Sequence, residues 1–379
     1  MAGPTIFLSA GEVSGDMHGA HLARALRAAR PDLRLVGVGG PRMAAAGVEL
    51  LADVTRHSAV GLTEQLPHVR PVLKAFKTAK EAIASEPPAA VVLIDYQGAN
   101  MDLARHAKRL GVPTAYYILP QEWLWGFKGG LKKVAAAADR LIAVFEAEAA
   151  AYREAGGSVS YVGHPLLDIL AEVRPLALAG QGPLVALLPG SRPQEIDRLV
   201  PVFLGAAAIV REAVPEARFV LPIAGAHLAP AVEAAVAKSG LSVTVLEGRG
   251  QEALAAADLA IAASGTVTLE SAILGVPCVA AYRVSGLTAF LAKRLLRVPY
   301  VTLPNIVLGR EVVPELLQER ATPGTIAEAA IAALRSPDRE GLAAVRARLG
   351  ERGAIARAAE AILAVAALSA EPQPLSPLP

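Results

Sequence analysis

The sequence predicts an α/β protein of two domains, each built on a parallel β-sheet that helices cover on both faces. Short apolar runs alternate with amphipathic stretches of about 10 to 18 residues, which is the pattern of strands and covering helices in such sheets. This alternation occurs twice, and a segment rich in proline and glycine, residues 173–183, separates the two occurrences. The length of 379 residues also favours two domains over one.

The apolar runs give the strands in order. They are 5–9, 34–38, 90–94, 114–118, 140–144 and 158–162 in the first half, and 184–188, 218–222, 243–246, 259–263 and 277–282 in the second. Helices are predicted over residues 17–29 and 342–368. We expect an N-terminal domain over 1–172, a C-terminal domain over 183–345, and a final helix in 346–379 with a frayed end. The sequence leaves open whether that helix packs back on the first domain.

Both predicted domains are Rossmann-like. Ligands of open parallel sheets bind beyond the carboxyl ends of the strands, so two such domains facing each other would enclose a cleft. The residues that directly follow the strands are therefore the candidates for function.

The composition excludes several classes of function. Basic and acidic residues nearly balance, at 37 and 35, so nucleic acid is not an expected partner. Cys278 is the only cysteine, which excludes an internal disulfide and a cysteine-rich zinc site. No signal-peptide pattern is present, and no apolar run approaches the roughly 18 residues of a membrane span. We expect a cytoplasmic protein that needs no cofactor.

The segment after strand 259–263 predicts a site for a nucleoside diphosphate. Ser264, Gly265 and Thr266 turn the chain into a helix whose first amides and positive dipole end face the turn, where phosphate oxygens fit. Glu270 projects from the start of the same helix, where a carboxylate can accept two hydrogen bonds from a ribose diol.

A second turn, after strand 184–188, is expected to bind the same diphosphate. Gly190 and Ser191 supply a glycine turn and a hydroxyl, and Arg192 supplies a fixed cation. No Asp-x-Asp pair occurs, which is the usual metal-binding pair of nucleotide-sugar enzymes. We therefore expect metal-independent chemistry, with a helix dipole and Arg192 meeting the charge of the departing diphosphate.

The loop after the first strand, residues 10–16, consists mainly of small residues, so a ligand can approach its backbone closely. Glu12, Ser14 and Gly15 are predicted to line the cleft. The alternative is that Ser14 or Asp16 caps the following helix.

Asp95 is the candidate general base. It ends the apolar run 91–94 and so lies at a strand tip, where desolvation raises the pKa of a carboxyl group. The alternative is an acid that caps the next helix. Asn100, Glu122 and Trp123 are expected near the same rim as substrate contacts, although Trp123 can equally be a packing residue.

Three further residues keep two interpretations each. Gly39 either admits a substrate or makes a turn. His164 either contacts a substrate phosphate or braces the hinge between the domains, and Asn305 either contacts the nucleotide or fixes a turn.

One predicted helix and one later segment combine basic and apolar residues. The helix has Arg70, Lys74 and Lys77 on one face and Val69, Leu73 and Phe76 on another, and the segment spans 290–297, with Phe290 and Leu291. Such surfaces dock on anionic lipid, and a solvated helix face is the alternative.

Together these motifs resemble those of the lipid-A-disaccharide synthase family. The matching segments are Gly11–Asp16, Val38–Met43, Val60–Glu64, Tyr116–Tyr117, Val162–Pro165, Leu187–Arg192, Ser264–Glu270, Tyr282–Arg283 and Leu303–Asn305. The resemblance implies a GT-B fold and inverting transfer of 2,3-diacylglucosamine from its UDP donor to 2,3-diacylglucosamine 1-phosphate. The products are the β-1,6 lipid A disaccharide 1-phosphate and UDP. It also implies peripheral contact with the inner face of the cell membrane and no metal.

The chain departs from the family pattern in its acceptor half. Where the family usually has D-x-P-x-F-N, Asp95–Asn100 keeps the acid and the asparagine but has neither the proline nor the phenylalanine. Residues 119–125 depart in a similar way. The alternatives are a UDP-sugar 2-epimerase of the same architecture and a GT-B UDP-sugar binder with an altered or lost acceptor site. The acyl-chain length, the true acceptor and the formation of a homodimer stay open.

Overall fold

Two compact units form the protein in the computed structural model, which describes residues 3–55, 69–125, 128–283 and 299–367. The first unit comprises Met1–Asp168 together with Leu349–Pro379, and the second comprises Ile169–Arg348. Of the helices in these described ranges, none combines the length and the apolar character that a bilayer span requires.

Strands and helices alternate through the first unit. They are β1 (Thr5–Ala10), α1 (Val13–Ala29), β2 (Arg34–Gly39), α2 (Pro41–Ala45), β3 (Glu49–Asp53), α3 (Val69–Ser85), β4 (Ala90–Ile94), α4 (Gln97–Arg109), β5 (Thr114–Tyr117), α5 (Glu122–Trp125), α6 (Lys128–Ala135), β6 (Arg140–Ala143), α7 (Glu146–Glu154), β7 (Val159–Tyr161) and α8 (Leu166–Ile169). The described strands form one parallel sheet in the order β3-β2-β1-β4-β5-β6-β7.

The second unit repeats the alternation. Its elements are β8 (Leu184–Leu188), α9 (Pro193–Ala213), β9 (Arg218–Ile223), α10 (Ala229–Ser239), β10 (Val243–Glu247), α11 (Gly250–Ala256), β11 (Leu259–Ala263), α12 (Thr266–Leu274), β12 (Cys278–Tyr282), α13 (Leu303–Leu308), β13 (Glu315–Leu317), α14 (Pro323–Arg335) and α15 (Arg339–Arg348). Its described strands form a parallel sheet in the order β10-β9-β8-β11-β12-β13.

The last helix, α16 (Ala354–Val365), belongs to the first unit. It packs against α1 and over the strands β4, β5 and β6. The Asp168 carboxylate accepts hydrogen bonds from the backbone N–H groups of Gly353 and Ile355, at 2.6 and 2.9 Å, and so caps the start of α16. Arg357 donates two hydrogen bonds to the Val162 carbonyl, which ties the helix to the end of β7.

Each predicted strand is present to within one residue at either end. Strands β3 and β13 were not predicted, because β3 is an edge strand with charged residues at both ends and β13 has only three residues. The predicted helix 342–368 is two helices, because the chain turns at Gly350 and Gly353, whose φ angles are +88° and +89°.

The central strands are buried on both faces. All residues of β4, β8 and β11 are buried, which is why these segments are continuous apolar runs and show no alternation of polar and apolar residues. Polar side chains near these strands lie beyond the strand ends, as Asp95 does after β4 and Asp258 does before β11, where its carboxylate accepts the backbone N–H of Leu184.

Candidate active site

Several predicted site residues of the first unit lie at the carboxyl edge of its sheet. Asp95 follows β4, Glu122 and Trp123 follow β5, and Gly39 ends β2. The strand register pairs Ile94 with Tyr117, so the chain leaves β4 and β5 at the same level.

The predicted loop of residues 10–16 is largely helical. α1 begins at Val13 and not at Met17, so Ser14 and Gly15 lie in its first turn and Glu12 is its N-cap residue. Glycine is a poor helix former, but Gly15 is buried against Ala10 and the carbonyl of Ile94, and this packing outweighs the propensity.

Asp16 caps α2 and not its own helix. Its carboxylate accepts hydrogen bonds from the backbone N–H groups of Gly40, Arg42 and Met43, at 2.9, 3.0 and 2.9 Å. A Cβ on Gly39 would lie 2.4 Å from the Met43 sulfur, and a Cβ on Gly40 would lie 2.7 Å from the Asp16 carboxylate. Close packing of this turn explains both glycines, which favours the turn interpretation of Gly39.

Asp95 lies on a bend that is unusual for residues with side chains. It has left-handed backbone geometry, with φ of +51°, and the next residue, Tyr96, has φ of +47°. Such conformations are uncommon outside glycine and concentrate at functional sites. Asp95 is half-buried, so its carboxyl group is at the strand tip without being enclosed in the core.

The predicted substrate contact of Asn100 is corrected by the structure. Asn100 is fully buried, and its amide donates to the carbonyls of Ile94 and Asp95, at 3.2 and 2.8 Å. Its Oδ1 accepts a hydrogen bond of 2.6 Å from the Ser9 hydroxyl. Asn100 therefore joins the tips of β1 and β4 and does not face a ligand.

Glu122 and Trp123 both lie at the start of α5. The Glu122 carboxylate accepts a hydrogen bond of 2.6 Å from the Gln97 side chain. Trp123 is half-buried and packs on Phe145, with 5.8 Å between ring centroids, which supports its interpretation as a packing residue. Its indole N–H is buried and has no hydrogen-bond partner within the described residues.

His164 is a buried, neutral imidazole. Its Nδ1 accepts the backbone N–H of Leu166 at 3.2 Å, and the backbone N–H of His164 donates to the Leu349 carbonyl at 3.0 Å. Burial, followed by the neighbouring His18, lowers the pKa of His164 to about 3. A neutral imidazole lacks the charge that favours a phosphate contact, so the bracing interpretation is the better one. The contacts of His164 with Leu166 and Leu349 both lie within the first unit.

Glu148 is a candidate residue that the sequence did not predict. It is buried in the first turn of α7, and its carboxylate accepts the backbone N–H groups of Val144 and Phe145, at 2.7 and 3.3 Å. Burial, and to a smaller extent the charge of Asp95, raises the pKa of Glu148 to about 8, although the hydrogen bonds from Val144 and Phe145 lower it. The spacing is that of a capping box, but Phe145 occupies the position where serine or threonine would mark one.

The turn before α9 already holds an anion from the chain itself. The Glu195 carboxylate accepts the backbone N–H groups of Ser191 and Arg192, at 3.0 and 3.2 Å, and the Arg192 guanidinium lies 3.3 Å from it. Gly190 has φ of +110°, and a Cβ there would lie 2.2 Å from Glu195. Gly190 therefore makes the predicted turn, and Glu195 occupies the backbone N–H groups of Ser191 and Arg192 in this arrangement. The side chain of Arg192 is partly exposed.

The turn before α12 differs from the turn before α9 in the state of its backbone N–H groups. No hydrogen bond among the described residues uses the backbone N–H groups of Gly265, Thr266 or Val267. Ser264 and Thr266 are half-buried, and Gly265 is exposed. These amides and the positive end of the helix dipole are compatible with the anion site that the sequence predicts, which stays a prediction.

Glu270 projects from the same helix beside a second polar side chain. Its carboxylate accepts a hydrogen bond of 2.9 Å from Gln251, at the start of α11. This contact orients a half-buried carboxylate close to the turn before α12.

Asn305 fixes a turn, and its predicted contact with the nucleotide is corrected. It is fully buried, its Oδ1 accepts the N–H groups of Val312 and Val313, and its amide donates to Val313 and Glu315. These four hydrogen bonds fill the capacity of the side chain.

The apolar face predicted for α3 is only partly exposed. Leu73 is 63% exposed, whereas Phe76 is 4% exposed and packs in the core, so its predicted lipid contact is wrong. Arg70, Lys74 and Lys77 are exposed. The side chain of Val69, the segment 290–297 and the motif Val60–Glu64 lie outside the described residues.

A family model described as lipid-A-disaccharide synthetase matches residues 6–361 of the chain. The chain belongs to the lipid-A-disaccharide synthase family. A lipid-A-disaccharide synthase of Geobacter sulfurreducens is 43% identical over 373 residues, which cover 94% of this chain and 96% of the relative. The resemblance inferred from the motifs is confirmed, and so is the predicted enzyme class, a glycosyltransferase.

Solved structures with low identity share the fold. The glycosyltransferase of kitacinnamycin has a TM-score of 0.65 at 18% identity, covering 96% of this chain and all of its own. A UDP-GlcNAc 2-epimerase of Methanocaldococcus jannaschii, in complex with UDP-GlcNAc and UDP, has a TM-score of 0.59 at 13% identity, covering 95% and 99%. These identities show the fold alone. The predicted GT-B fold of two Rossmann-like units is confirmed, and the epimerase alternative is not favoured.

We expect Glu148→Gln to change how the stability of the protein depends on pH. A carboxyl group whose pKa rises from 4.5 to about 8 on folding contributes stability that is fully present below pH 4.5 and is lost as the pH rises to 8. Glutamine keeps the acceptor for Val144 and Phe145 without a charge. Urea unfolding should therefore find the variant close to the wild type at pH 5 and more stable at pH 8. Glu154→Gln, an exposed change on the same helix, is the control, and equal stability differences at both pH values would contradict the prediction.

Proposed function

We propose that the protein is an inverting lipid-A-disaccharide synthase. It transfers 2,3-diacylglucosamine from UDP to the primary hydroxyl of 2,3-diacylglucosamine 1-phosphate and releases UDP. The observation that carries this proposal is the match to lipid-A-disaccharide synthases over nearly the whole chain. The geometry of the two sheet edges supports the assignment of roles to residues.

The UDP moiety binds to the second unit. The backbone N–H groups of residues 265–267 donate hydrogen bonds to the diphosphate oxygens, and the Glu270 carboxylate, oriented by Gln251, accepts hydrogen bonds from the ribose hydroxyls. The Arg192 guanidinium supplies the positive charge. This assignment rests on the open turn before α12, because Glu195 occupies the amides of the turn before α9.

Asp95 acts as the general base on the first unit. Its carboxylate takes the proton of the acceptor hydroxyl while the oxygen forms a bond to the anomeric carbon, and the bond between that carbon and the diphosphate oxygen breaks. One displacement inverts the configuration. The leaving UDP carries away the electron pair, and the helix dipole and Arg192 stabilise the charge that develops on it.

Glu12, Ser14, Glu122 and Trp123 are the proposed acceptor contacts. Glu12 lies near the Tyr96 hydroxyl, whose pKa is raised by burial and then by this carboxylate. We further propose peripheral contact with the inner face of the cell membrane through α3, where Leu73 lies among exposed basic residues. A homodimer is compatible with this proposal but is not needed for it.

Asp95→Asn should reduce kcat by about two orders of magnitude or more, because the amide cannot accept the proton. The affinity for UDP should stay close to that of the wild type. Product formation is followed by mass spectrometry and UDP binding by calorimetry. Asp102→Asn, which removes an exposed carboxylate on the following helix, is the control. Near-normal turnover of Asp95→Asn would exclude Asp95 as the base.

Arg192→Ala should weaken UDP binding by about 1.5 to 3 kcal/mol, as expected when a hydrogen bond from a charged group is lost. Arg211→Ala at the opposite end of α9 is the matched control, because Arg211 donates to the carbonyl of Ala217 in its own unit. Unchanged affinity in calorimetry would remove Arg192 from the site.

Leu73→Glu should reduce flotation with vesicles that contain anionic lipid, because it places a negative charge on the exposed apolar position of α3. Leu110→Glu, at an exposed leucine after α4, should have no such effect. Equal flotation of the wild type and both variants would contradict a contact through α3.

A further inference from the structure

Residues with left-handed backbone conformation cluster at the carboxyl ends of β4 and β5. Besides Asp95 and Tyr96, Ile118 directly after β5 has φ of +56°. A β-branched residue is especially unfavourable in this region. The described residues contain five non-glycine positions with positive φ, and three of them are at this point of the sheet. Local strain of this kind persists only where the surrounding structure holds it.

The peptide groups on both sides of Asp95 are held by hydrogen bonds. The Asp95 N–H is shared between the carbonyls of Tyr117 and Ile118, each at 3.2 Å. The Asp95 carbonyl accepts the Tyr116 hydroxyl at 2.9 Å and the Asn100 amide at 2.8 Å. Both lone pairs of this carbonyl are therefore used, and its direction is fixed.

The two side chains that donate to this carbonyl, Asn100 and Tyr116, differ in the other contacts that they make. Asn100 also bonds to Ile94 and Ser9, so a change there would disturb two strand tips. Tyr116 is fully buried, and its hydroxyl donates to the Asp95 carbonyl and also interacts with the Asn100 side chain. Burial, followed by the charge of Asp95, raises its pKa well above the usual 10, so the hydroxyl stays protonated and remains a donor.

We propose that Tyr116 is a positioning residue for Asp95. Its hydroxyl holds the Asp95 carbonyl in the left-handed bend, and this directs the Asp95 carboxylate toward the acceptor hydroxyl. The inference rests on the proposed role of Asp95 as the base. Tyr116 does not contact a substrate and acts only through the backbone of Asp95.

Tyr116→Phe tests this with little change in packing, because the ring stays in the core. We expect kcat to fall about ten- to a hundredfold, in line with the cost of a misplaced catalytic group, while the KM for the acceptor and the Kd for UDP stay near wild type. Tyr152→Phe is the matched control. Tyr152 is also fully buried, and its hydroxyl donates to a backbone carbonyl, that of Pro120, at 2.7 Å. Both variants should lose similar thermal stability, but only Tyr116→Phe should lose kcat.

A double-mutant cycle separates positioning from general damage. If Tyr116 acts through Asp95, the Asp95→Asn/Tyr116→Phe double variant should be no slower than Asp95→Asn alone. Multiplied losses, an unchanged kcat for Tyr116→Phe, or an equal loss in Tyr152→Phe would overturn the inference. A fully active Asp95→Asn would instead refute the proposed base, so the two failures are distinguishable.

Discussion

Burial of both faces of each parallel sheet is the constraint on which the rest of the structure depends. The strands β4, β8 and β11 have no exposed residue, so polar chemistry in either unit is restricted to the ends of the strands. A polar group that is buried at such an end must find a partner, because an unpaired one is costly. The carboxyl edges are consequently dense in side chains that bond to backbone groups.

Most of these polar side chains stabilise the turns and helix ends at this edge of the sheet and do not face a ligand. Asp16 caps α2, Asn305 closes a turn, and Glu195 caps α9. Asp16 and Asn305 belong to the motif segments, and Glu195 follows one of them. The groups proposed to bind substrate are fewer, chiefly the Asp95 carboxylate and the backbone N–H groups of the turn before α12.

The fold was predictable because each strand is a compact apolar run with a distinct end, as in residues 184–188 and 259–263, which match β8 and β11 in full. The turn at Ser264–Thr266 was also predictable, since a strand, a corner of small residues and a helix follow one another in sequence. The roles of Asn100 and Asn305 were not, because their partners depend on which strand tips become neighbours in space. Glu148 and Tyr116 were missed for the same reason, since their acceptors and donors belong to the strand ends. Short edge strands such as β3 have too few apolar residues to be predicted from the sequence pattern.

The discontinuity of the first unit has a consequence for the order of folding during synthesis. All residues of the second unit, through Arg348, leave the ribosome before α16 does, whereas the first unit needs α16 to cover α1 and its central strands. The second unit can therefore complete its core first, against the usual N-terminal-first order. Until translation ends, the nascent first unit keeps an uncovered apolar face, and this is the stage at which a chaperone would be of most use to this chain.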